Sequence, residues 1–153
     1  MSKEEFTISY LPLAQLAGKK YRMDPLIILS QAAIESQWGG SYSARVRKNF
    51  FGVTAFGAKN AYWDGRYSES LNELKIKFRI YNTAQDSFYD FARLIASKYK
   101  SAHAVNNDVT RYAQAIAYSP YITESNGDNR QVYFNNLISS YRSITEILKK
   151  KES

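Results

Sequence analysis

The chain of 153 residues contains no cysteine and a single histidine, His103. The absence of cysteine excludes thiol catalysis, disulfide bonds and cysteine-ligated zinc. With one histidine, a histidine-based metal site and a Ser-His-Asp triad are not expected either. The acidic residues Asp108, Glu124 and Asp128 lack the spacing of metal ligands, so we expect no metal and no other cofactor. Acid–base chemistry would therefore fall to Asp, Glu, Tyr or Lys.

Long apolar runs and Pro/Gly-rich linkers are also missing. No run approaches the ~20 apolar residues that span a bilayer, so we expect no membrane insertion. The length fits one domain over residues 1–153, with a core from about 6 to 148. The start, Met1-Ser2-Lys3-Glu4-Glu5-Phe6, lacks the basic end and apolar core of a secretory signal. Three interpretations follow: a cytoplasmic protein, export by a route that reads no such signal, or removal of a signal.

Basic residues are in excess, and the formal net charge is +7. A basic surface favours polyanions such as nucleic acid, anionic membranes and anionic wall polymers. The 13 tyrosines offer flat apolar faces with a polar tip, which suit sugar rings as well as bases. No helix-turn-helix, RNA-recognition or zinc-finger pattern is present, so nucleic acid is not the expected partner.

The apolar periodicity predicts an α+β fold, mainly α, with about five helices and one small β-hairpin. The first helix is expected over roughly 9–20. A second, over roughly 25–38, begins at Asp24-Pro25, where Asp caps the helix and Pro fits its first turn. Residues 42–60 are expected to be irregular. Within 61–81, the alternation of Ile76, Phe78 and Ile80 with basic residues predicts a half-buried strand of the hairpin.

Helical spacing resumes after the hairpin. Thr83-x-x-Asp86 resembles a capping box, and Asp108 is a further cap candidate. Asn126-Gly127 predicts a turn before the last helix. The apolar stripe of that helix consists of Phe134, Leu137, Ile138, Tyr141, Ile144 and Leu148.

Glu35 is the one acidic residue after the cap of the second predicted helix, which is apolar almost all round. A carboxylate near a helix C-terminus gains nothing from the helix dipole. An apolar wall disfavours its charged form and raises its pKa, as the acid of a glycosidase requires. The alternative is a structural Glu, either exposed or paired with Arg45 or Arg47.

Four segments, in order, resemble one known family. Residues Gln31-Ala32-Ala33-Ile34-Glu35-Ser36-Gln37-Trp38-Gly39 resemble the A-Q-A-x-x-E-S-x-W-G signature of glucosaminidase domains, glycoside hydrolase family 73. The family's N-L-F-G-I segment, F-R-x-Y strand end and following helix are matched by Asn49-Phe50-Phe51-Gly52-Val53, Phe78-Arg79-Ile80-Tyr81 and residues 87–94. The resemblance covers roughly residues 6–141, and its pieces are more specific together than singly.

The resemblance implies a lysozyme-like helical body with a small β-hairpin lobe bordering an active-site cleft. It also implies an endo-β-N-acetylglucosaminidase that cleaves the β-1,4 bond between N-acetylglucosamine and N-acetylmuramic acid in peptidoglycan, with Glu35 as the general acid. The family's second carboxylate lies in the hairpin. Its nearest match is Glu69 in Tyr67-Ser68-Glu69, and Glu73 and Asp64 are alternatives. This second group would activate water or act as a nucleophile, or the substrate's N-acetyl group would assist instead.

Further site residues follow from the same resemblance. The family's G-Y-A-T-D-P tyrosine corresponds to Tyr118 or, next, to Tyr121, although Gly and Asp-Pro are absent here. A phenol there would orient the acetamido group or the attacking water. We further expect Asn49 to hydrogen-bond the acetamido group or to tie down its own loop. Stacking on sugar faces is expected of three residues, Trp38, Tyr62 and Trp63.

Two other functions remain open. A muramidase or lytic transglycosylase would attack the other glycosidic bond, and a transglycosylase needs no water-activating base. A non-catalytic basic wall-binding module is the alternative of another class. We expect a protein secreted or delivered to the periplasm or cell wall without a recognisable signal peptide in this chain, like a phage-type lysin or an antibacterial toxin. A toxin would require a neutralising immunity protein in the producing cell.

Overall fold

A computed structural model describes residues 1–123 and 127–152, in which the largely buried helix α2 packs between α1 and α7. The described residues form seven α-helices and two short strands: α1 (Lys3–Tyr21), α2 (Pro25–Ser36), α3 (Tyr42–Arg47), β1 (Tyr67–Glu69), β2 (Lys77–Arg79), α4 (Ala84–Lys98), α5 (Lys100–His103), α6 (Val109–Ala117) and α7 (Gly127–Glu152). Helix α2 contacts α1 and α7, while α4 packs on α1 and α6 packs on α7. The predicted α+β, mainly helical class is confirmed. The two helices beyond the predicted five, α3 and α5, are too short to show an apolar period.

Helix α2 carries its sequence signals at both ends. The Asp24 carboxylate accepts a hydrogen bond from the Leu26 amide at 2.8 Å, and Pro25 occupies the first turn. The helix ends at Ser36 because Gln37 and Trp38 both have positive φ, 52° and 54°. This is two residues earlier than predicted. Most of the helix is buried, which places Glu35 at the end of a rigid core element.

Helix α1 begins at Lys3 and not near residue 9, as the apolar period predicted. Ser2 accepts a hydrogen bond from the Glu5 amide, and the Glu5 side chain accepts one from the Ser2 amide. This reciprocal arrangement is a capping box, whose Ser-x-x-Glu pattern is visible in the sequence. The first polar turn of the helix is therefore fixed by its cap and not by an apolar stripe.

The hairpin lobe pairs β1 and β2 in antiparallel register, with Ser68 opposite Phe78. Its buried face differs from the prediction: Ile76 is exposed, whereas Arg79 is buried. The reason is an ion pair, since Arg79 Nη1 lies 2.7 Å from Asp90 Oδ2 on α4. The alternation of apolar and basic residues thus located the strand but misassigned which side chain faces the body.

The last helix, α7, presents its predicted stripe to the core, with Leu137 and Ile144 fully buried. Thr83 and Asp108 cap α4 and α6 as predicted, each accepting backbone hydrogen bonds through its side chain. Of the turn predicted at Asn126-Gly127, Asn126 lies outside the described residues and Gly127 begins α7. None of the helices within the described ranges is long and apolar enough to cross a membrane.

Candidate active site

A cleft with a volume of about 680 Å³ opens at the C-terminal end of α2. Its walls come from the loop after α3, strand β2, the end of α4, the segment after α6 and the start of α7. Glu35 is the one carboxylate among the described residues that line it. Helix α2 therefore delivers a single acidic side chain to a concave site, where N- and C-terminal parts of the chain meet.

The Glu35 carboxyl lies in a largely desolvated position. Burial raises its pKa from 4.5 to about 7, and a hydrogen-bonding interaction with Tyr133 opposes this rise. A Cβ placed on Gly52, whose φ is +64°, would lie 3.7 Å from Glu35 Oε2, so the loop backbone passes close to the carboxyl. A carboxyl that titrates near neutral pH is protonated in a substantial fraction of molecules and can act as a general acid.

Neither arginine considered as a partner pairs with Glu35. Arg45 Nε donates to the Gly40 carbonyl at 3.1 Å. Arg47 donates to Ser68 Oγ at 2.7 Å and to the Glu69 carbonyl at 2.9 Å, which attaches α3 to the hairpin. The ion-paired structural interpretation of Glu35 is therefore wrong for both arginines.

Tyr99, Tyr121 and Tyr133 line the cleft, whereas Tyr118 does not. Tyr118 is exposed, and its hydroxyl donates to Gln131 Oε1 at 3.1 Å. Tyr121 and Tyr133 line the cleft instead, and burial raises the pKa of both. Of the two tyrosines proposed for the family position, the second choice, Tyr121, is therefore the one in the cleft wall. Sequence reasoning missed Tyr133, which lies 98 residues beyond Glu35 on the last helix.

The hairpin acids do not line the described cleft. Glu69 is exposed on β1, opposite Lys77, and Glu73 is exposed in the loop that joins the strands. Asp64 pairs with Arg66 at 3.1 Å on the surface, and the hydrogen bond from the Arg66 amide contributes most to lowering its pKa. The structure therefore brings none of the three proposed second carboxylates into the cleft wall with Glu35.

Asn49 is committed to its own loop. Its Nδ2 donates to the carbonyls of Val53 and Arg79 at 2.9 and 3.0 Å, and its Oδ1 accepts from the Val53 amide at 3.1 Å. With the side chain buried and these bonds formed, a substrate acetamido group has no free donor or acceptor to reach here. The geometry matches the other interpretation of Asn49, in which its side chain holds its own loop in place.

The three predicted sugar platforms lie elsewhere. Trp63 is buried, and the Arg79 guanidinium covers its ring at 3.9 Å, so stacking on a sugar does not fit this geometry. Tyr62 stacks on Tyr89 with ring centroids 5.1 Å apart, outside the cleft lining. Trp38 meets Phe6 edge to face and is also absent from the lining.

A second buried carboxylate, Asp90 on α4, was not singled out in the sequence. It accepts hydrogen bonds from Arg79, Arg93, Tyr81 and Asn60, at 2.7, 2.9, 2.5 and 3.0 Å. These four donors come from the hairpin, the loop before it and α4 itself. Asp90 therefore fixes the hairpin lobe to the helical body. The motif Phe-Arg-x-Tyr supplies two of the donors, which gives that motif a structural explanation.

Arg79 also shapes the cleft rim. Its Nε donates to the Thr54 carbonyl at 3.1 Å and its Nη2 to the Phe56 carbonyl. The Phe56 side chain, on a backbone held in this way, lines the cleft and is 78% exposed. Sequence reasoning missed this aromatic residue because nothing in the pattern of residues 42–60 separates an exposed ring from a buried one.

Metal ligation has little support in the described part of the chain, where no group of three or more His, Asp or Glu residues gathers. Of the acids considered above as ligands, Glu124 and the side chain of Asp128 lie outside the described residues.

Comparison with known proteins adds a family and several relatives. The family model described as "Glucosaminidase: Mannosyl-glycoprotein endo-beta-N-acetylglucosaminidase" matches residues 11–146. The chain is 28% identical to the peptidoglycan hydrolase FlgJ of Vibrio parahaemolyticus, over 80% of this chain and 43% of that protein. It is 31% identical to the exo-glucosaminidase LytG of Bacillus subtilis, over 72% of this chain and 43% of that protein. The chain thus spans less than half the length of these relatives.

Solved structures of related fold cover nearly the whole chain. The glycoside hydrolase domain of Salmonella typhimurium FlgJ superposes with a TM-score of 0.74 at 24% identity, covering 99% of this chain and 94% of that one. A type VI secretion system effector–immunity complex from Pseudomonas protegens has a chain that superposes with a TM-score of 0.67 at 25% identity, covering 94% of each. The helical body and hairpin lobe are therefore a known fold.

Proposed function

The chain belongs to the glucosaminidase family, and from this premise we propose that it is a peptidoglycan hydrolase with Glu35 as its general acid. The proposed bond is the β-1,4 linkage between N-acetylglucosamine and N-acetylmuramic acid. The observation that carries the proposal is the state of Glu35: a carboxyl at the wall of an open cleft, with a pKa of about 7, while Arg45 and Arg47 bind other groups. Relatives named as peptidoglycan hydrolases and as a glucosaminidase support the substrate class.

In the proposed reaction, protonated Glu35 gives its proton to the glycosidic oxygen while the bond from that oxygen to the anomeric carbon breaks. Positive charge then develops on the sugar ring. Burial keeps the carboxyl protonated at neutral pH and so favours the acid form that begins the reaction. A water molecule then bonds to the anomeric carbon and forms the new reducing end, and the proton that this water releases restores protonated Glu35.

No second carboxylate of the described cleft lining stands ready to stabilise the developing positive charge. Glu69 stays a prediction for this role, on an exposed strand outside the described cleft lining. Assistance by the substrate's own N-acetyl group requires no second carboxylate, and the single carboxylate of the described lining favours it. We propose that the Tyr121 hydroxyl orients the acetamido group in this step, since Tyr121 lines the same cleft as Glu35.

The same observation favours a second candidate, a lytic transglycosylase, because that reaction also needs no water-activating base. Mass spectrometry of the fragments released from purified peptidoglycan separates the two. We expect new reducing ends on N-acetylglucosamine, and none with Glu35→Gln. Reducing N-acetylmuramic acid ends would instead indicate a muramidase, and anhydro ends a transglycosylase. Binding of intact peptidoglycan without any cleavage would support the wall-binding module.

We further propose that the protein acts as an antibacterial effector in the periplasm or cell wall of a target cell. The likeness to a chain of an effector–immunity complex supports this role. A neutralising partner that covers the Glu35 cleft would protect the producing cell. Directing the chain to the periplasm with an added signal sequence should lyse a Gram-negative host, whereas the Glu35→Gln chain should not. Survival of the host with an active enzyme present would contradict the effector role but leave the hydrolase intact.

A further inference from the structure

Gln31 is a fully buried polar residue in the apolar helix α2, one helical turn before Glu35. Residues four apart on a helix share a face, so the side chains of Gln31 and Glu35 project from the same side of α2. Its Oε1 accepts a hydrogen bond from the Tyr112 hydroxyl on α6, and its Nε2 donates to the Tyr133 hydroxyl on α7 at 2.9 Å. A buried primary amide is costly unless it is bonded, and here both of its ends are used.

The direction of these bonds follows from Tyr112. Its phenol is fully buried, and burial raises its pKa, so the hydroxyl stays protonated and donates. Since this bond occupies Gln31 Oε1, the Nε2 end of the amide points at Tyr133. The Tyr133 oxygen then acts as an acceptor towards Gln31, and its own proton remains for the groups it meets at the cleft wall, Glu35 and the Tyr121 hydroxyl. A free amide would be able to flip and accept that proton instead.

We propose that Gln31 and Tyr112 are positioning residues of the active site, which orient the Tyr133 hydroxyl so that it presents its proton to Glu35 across the cleft wall. This inference rests on the proposed function only in taking Glu35 as the acid. When Glu35 passes its proton to the glycosidic oxygen, a carboxylate is left in a desolvated position. A donor already aimed at it stabilises that charge without a cation, and Tyr133 keeps its own proton throughout.

The other charged and titratable groups of the described cleft wall are Arg79, Lys98, Tyr99 and Tyr121. Arg79 is committed to Asp90 and to two backbone carbonyls. The interaction with Tyr133 lowers the pKa of Glu35, against the larger opposite effect of burial. Loss of a correctly aimed Tyr133 hydroxyl should therefore raise the pKa of Glu35 and weaken the stabilisation of the carboxylate formed in catalysis.

The experiment measures the pKa of Glu35 directly, by NMR titration of the free protein labelled with ¹³C at the glutamate carboxyls. In Tyr133→Phe we expect the pKa to rise by about one unit, the effect of one hydrogen bond to a charged group. In Tyr112→Phe it should rise by a smaller amount, because both amide orientations of Gln31 become populated. The alkaline limb of the kcat profile should move in the same direction, with a several-fold lower kcat.

Tyr141→Phe is the matched control. The Tyr141 hydroxyl also joins α7 to the start of α2, by donating to Asp24 Oδ2 at 3.0 Å, but it has no part in the Glu35 network. Tyr141→Phe should lower the free energy of unfolding about as much as Tyr112→Phe does, but it should leave the pKa of Glu35 unchanged. If Tyr112→Phe folds poorly, the double variant Gln31→Leu/Tyr112→Phe removes the anchor without leaving an unbonded amide.

An unchanged Glu35 pKa in folded Tyr112→Phe, or in the double variant, would overturn the inference. A shift equal to that in Tyr141→Phe would do the same, because it would report general loosening of the helices. The titration requires no substrate. Failure of the wild-type protein to cleave peptidoglycan would therefore reject the proposed function while leaving the positioning network to be judged on its own result.

Discussion

The molecule holds a carboxyl group largely away from water in two regions, and the surroundings of the two groups differ in charge. At the hairpin junction, Asp90 receives two guanidinium groups, a phenol and an amide. At the cleft, the Glu35 carboxyl has an apolar helix behind it, the backbone at Gly52 beside it and the Tyr133 hydroxyl facing it. The first environment compensates a negative charge, while the second penalises one.

The difference shows how one chemical group serves two purposes. A buried carboxylate with charged donors on its oxygens holds elements together, and breaking such a pair leaves an uncompensated charge in the interior. A buried carboxyl without a cation takes up a proton near neutral pH and can release it to a substrate. Replacing the carboxylate by an amide should therefore have opposite effects on stability at the two positions.

The largest expected effect is at the hairpin junction. Asp90→Asn retains one oxygen acceptor but removes the charge that balances Arg79 and Arg93, so we expect a loss of about 3–5 kcal/mol in the free energy of unfolding. Urea unfolding at pH 7 measures it. Asp64→Asn removes the exposed partner of Arg66 and should leave the urea midpoint almost unchanged, since exposed ion pairs contribute little. Equal midpoints for the two variants would contradict a structural role for Asp90.

At the cleft, Glu35→Gln should stabilise the protein at alkaline pH. In the folded protein the pKa of Glu35 is about 7, above the ordinary value of 4.5. The neutral carboxyl therefore makes its full contribution to the free energy of unfolding below pH 4.5, and this contribution is lost as the pH rises through about 7. The amide does not ionise and avoids this loss. Relative to wild type, Glu35→Gln should gain about 3 kcal/mol between pH 4 and pH 9.

Urea unfolding of both proteins across that pH range provides the measurement. Glu69→Gln is the control, because the same chemical change on the exposed strand β1 removes a solvated charge. It should keep the pH dependence of the wild-type protein. A Glu35→Gln protein that loses stability with rising pH in parallel with wild type would mean that Glu35 is not the desolvated group.

The same two regions show what the sequence can predict. Caps such as Asp24 and Thr83 are local patterns, and the helices they begin were predicted correctly. Glu35 was identified because a lone acid in an apolar helix is visible without the fold. Asp90 lies on α4 together with Asp86 and Arg93, so it does not stand out as a lone acid in the sequence. Its role depends on the tertiary approach of Arg79 and Tyr81 from the hairpin lobe.

The positions of the remaining site residues also depend on tertiary contacts between distant parts of the chain. Tyr133 and Glu35 lie on helices separated by most of the chain, so no spacing relates them. Tyr118 was preferred to Tyr121 on motif position, although only the turn after α6 decides which of the two rings faces inward. Trp63 resembles a sugar platform in the sequence, yet its burial beneath Arg79 is a property of the folded lobe.

The smallest predicted effect concerns Phe56, where the two regions meet. Arg79, held by Asp90, also holds the backbone at Thr54 and Phe56, so the structural carboxylate indirectly places an exposed ring at the rim of the catalytic cleft. An aromatic face exposed there and held from behind suits the apolar face of a sugar. We expect Phe56→Ala to weaken binding of a peptidoglycan fragment about 5-fold to 10-fold, equivalent to ~1 kcal/mol.

Calorimetry in the Glu35→Gln background isolates this binding from cleavage. Phe56→Trp should retain the affinity, because it keeps an aromatic face at the rim. Leu74→Ala is the control: it removes a comparably exposed apolar side chain, 72% accessible against 78% for Phe56, from the hairpin loop outside the cleft lining. If both alanine variants bind alike, the ring makes no sugar contact, and the Asp90–Arg79 junction then supports only the hairpin lobe. If Phe56→Ala alone loses affinity, the structural carboxylate also contributes to substrate binding through the loop it holds in place.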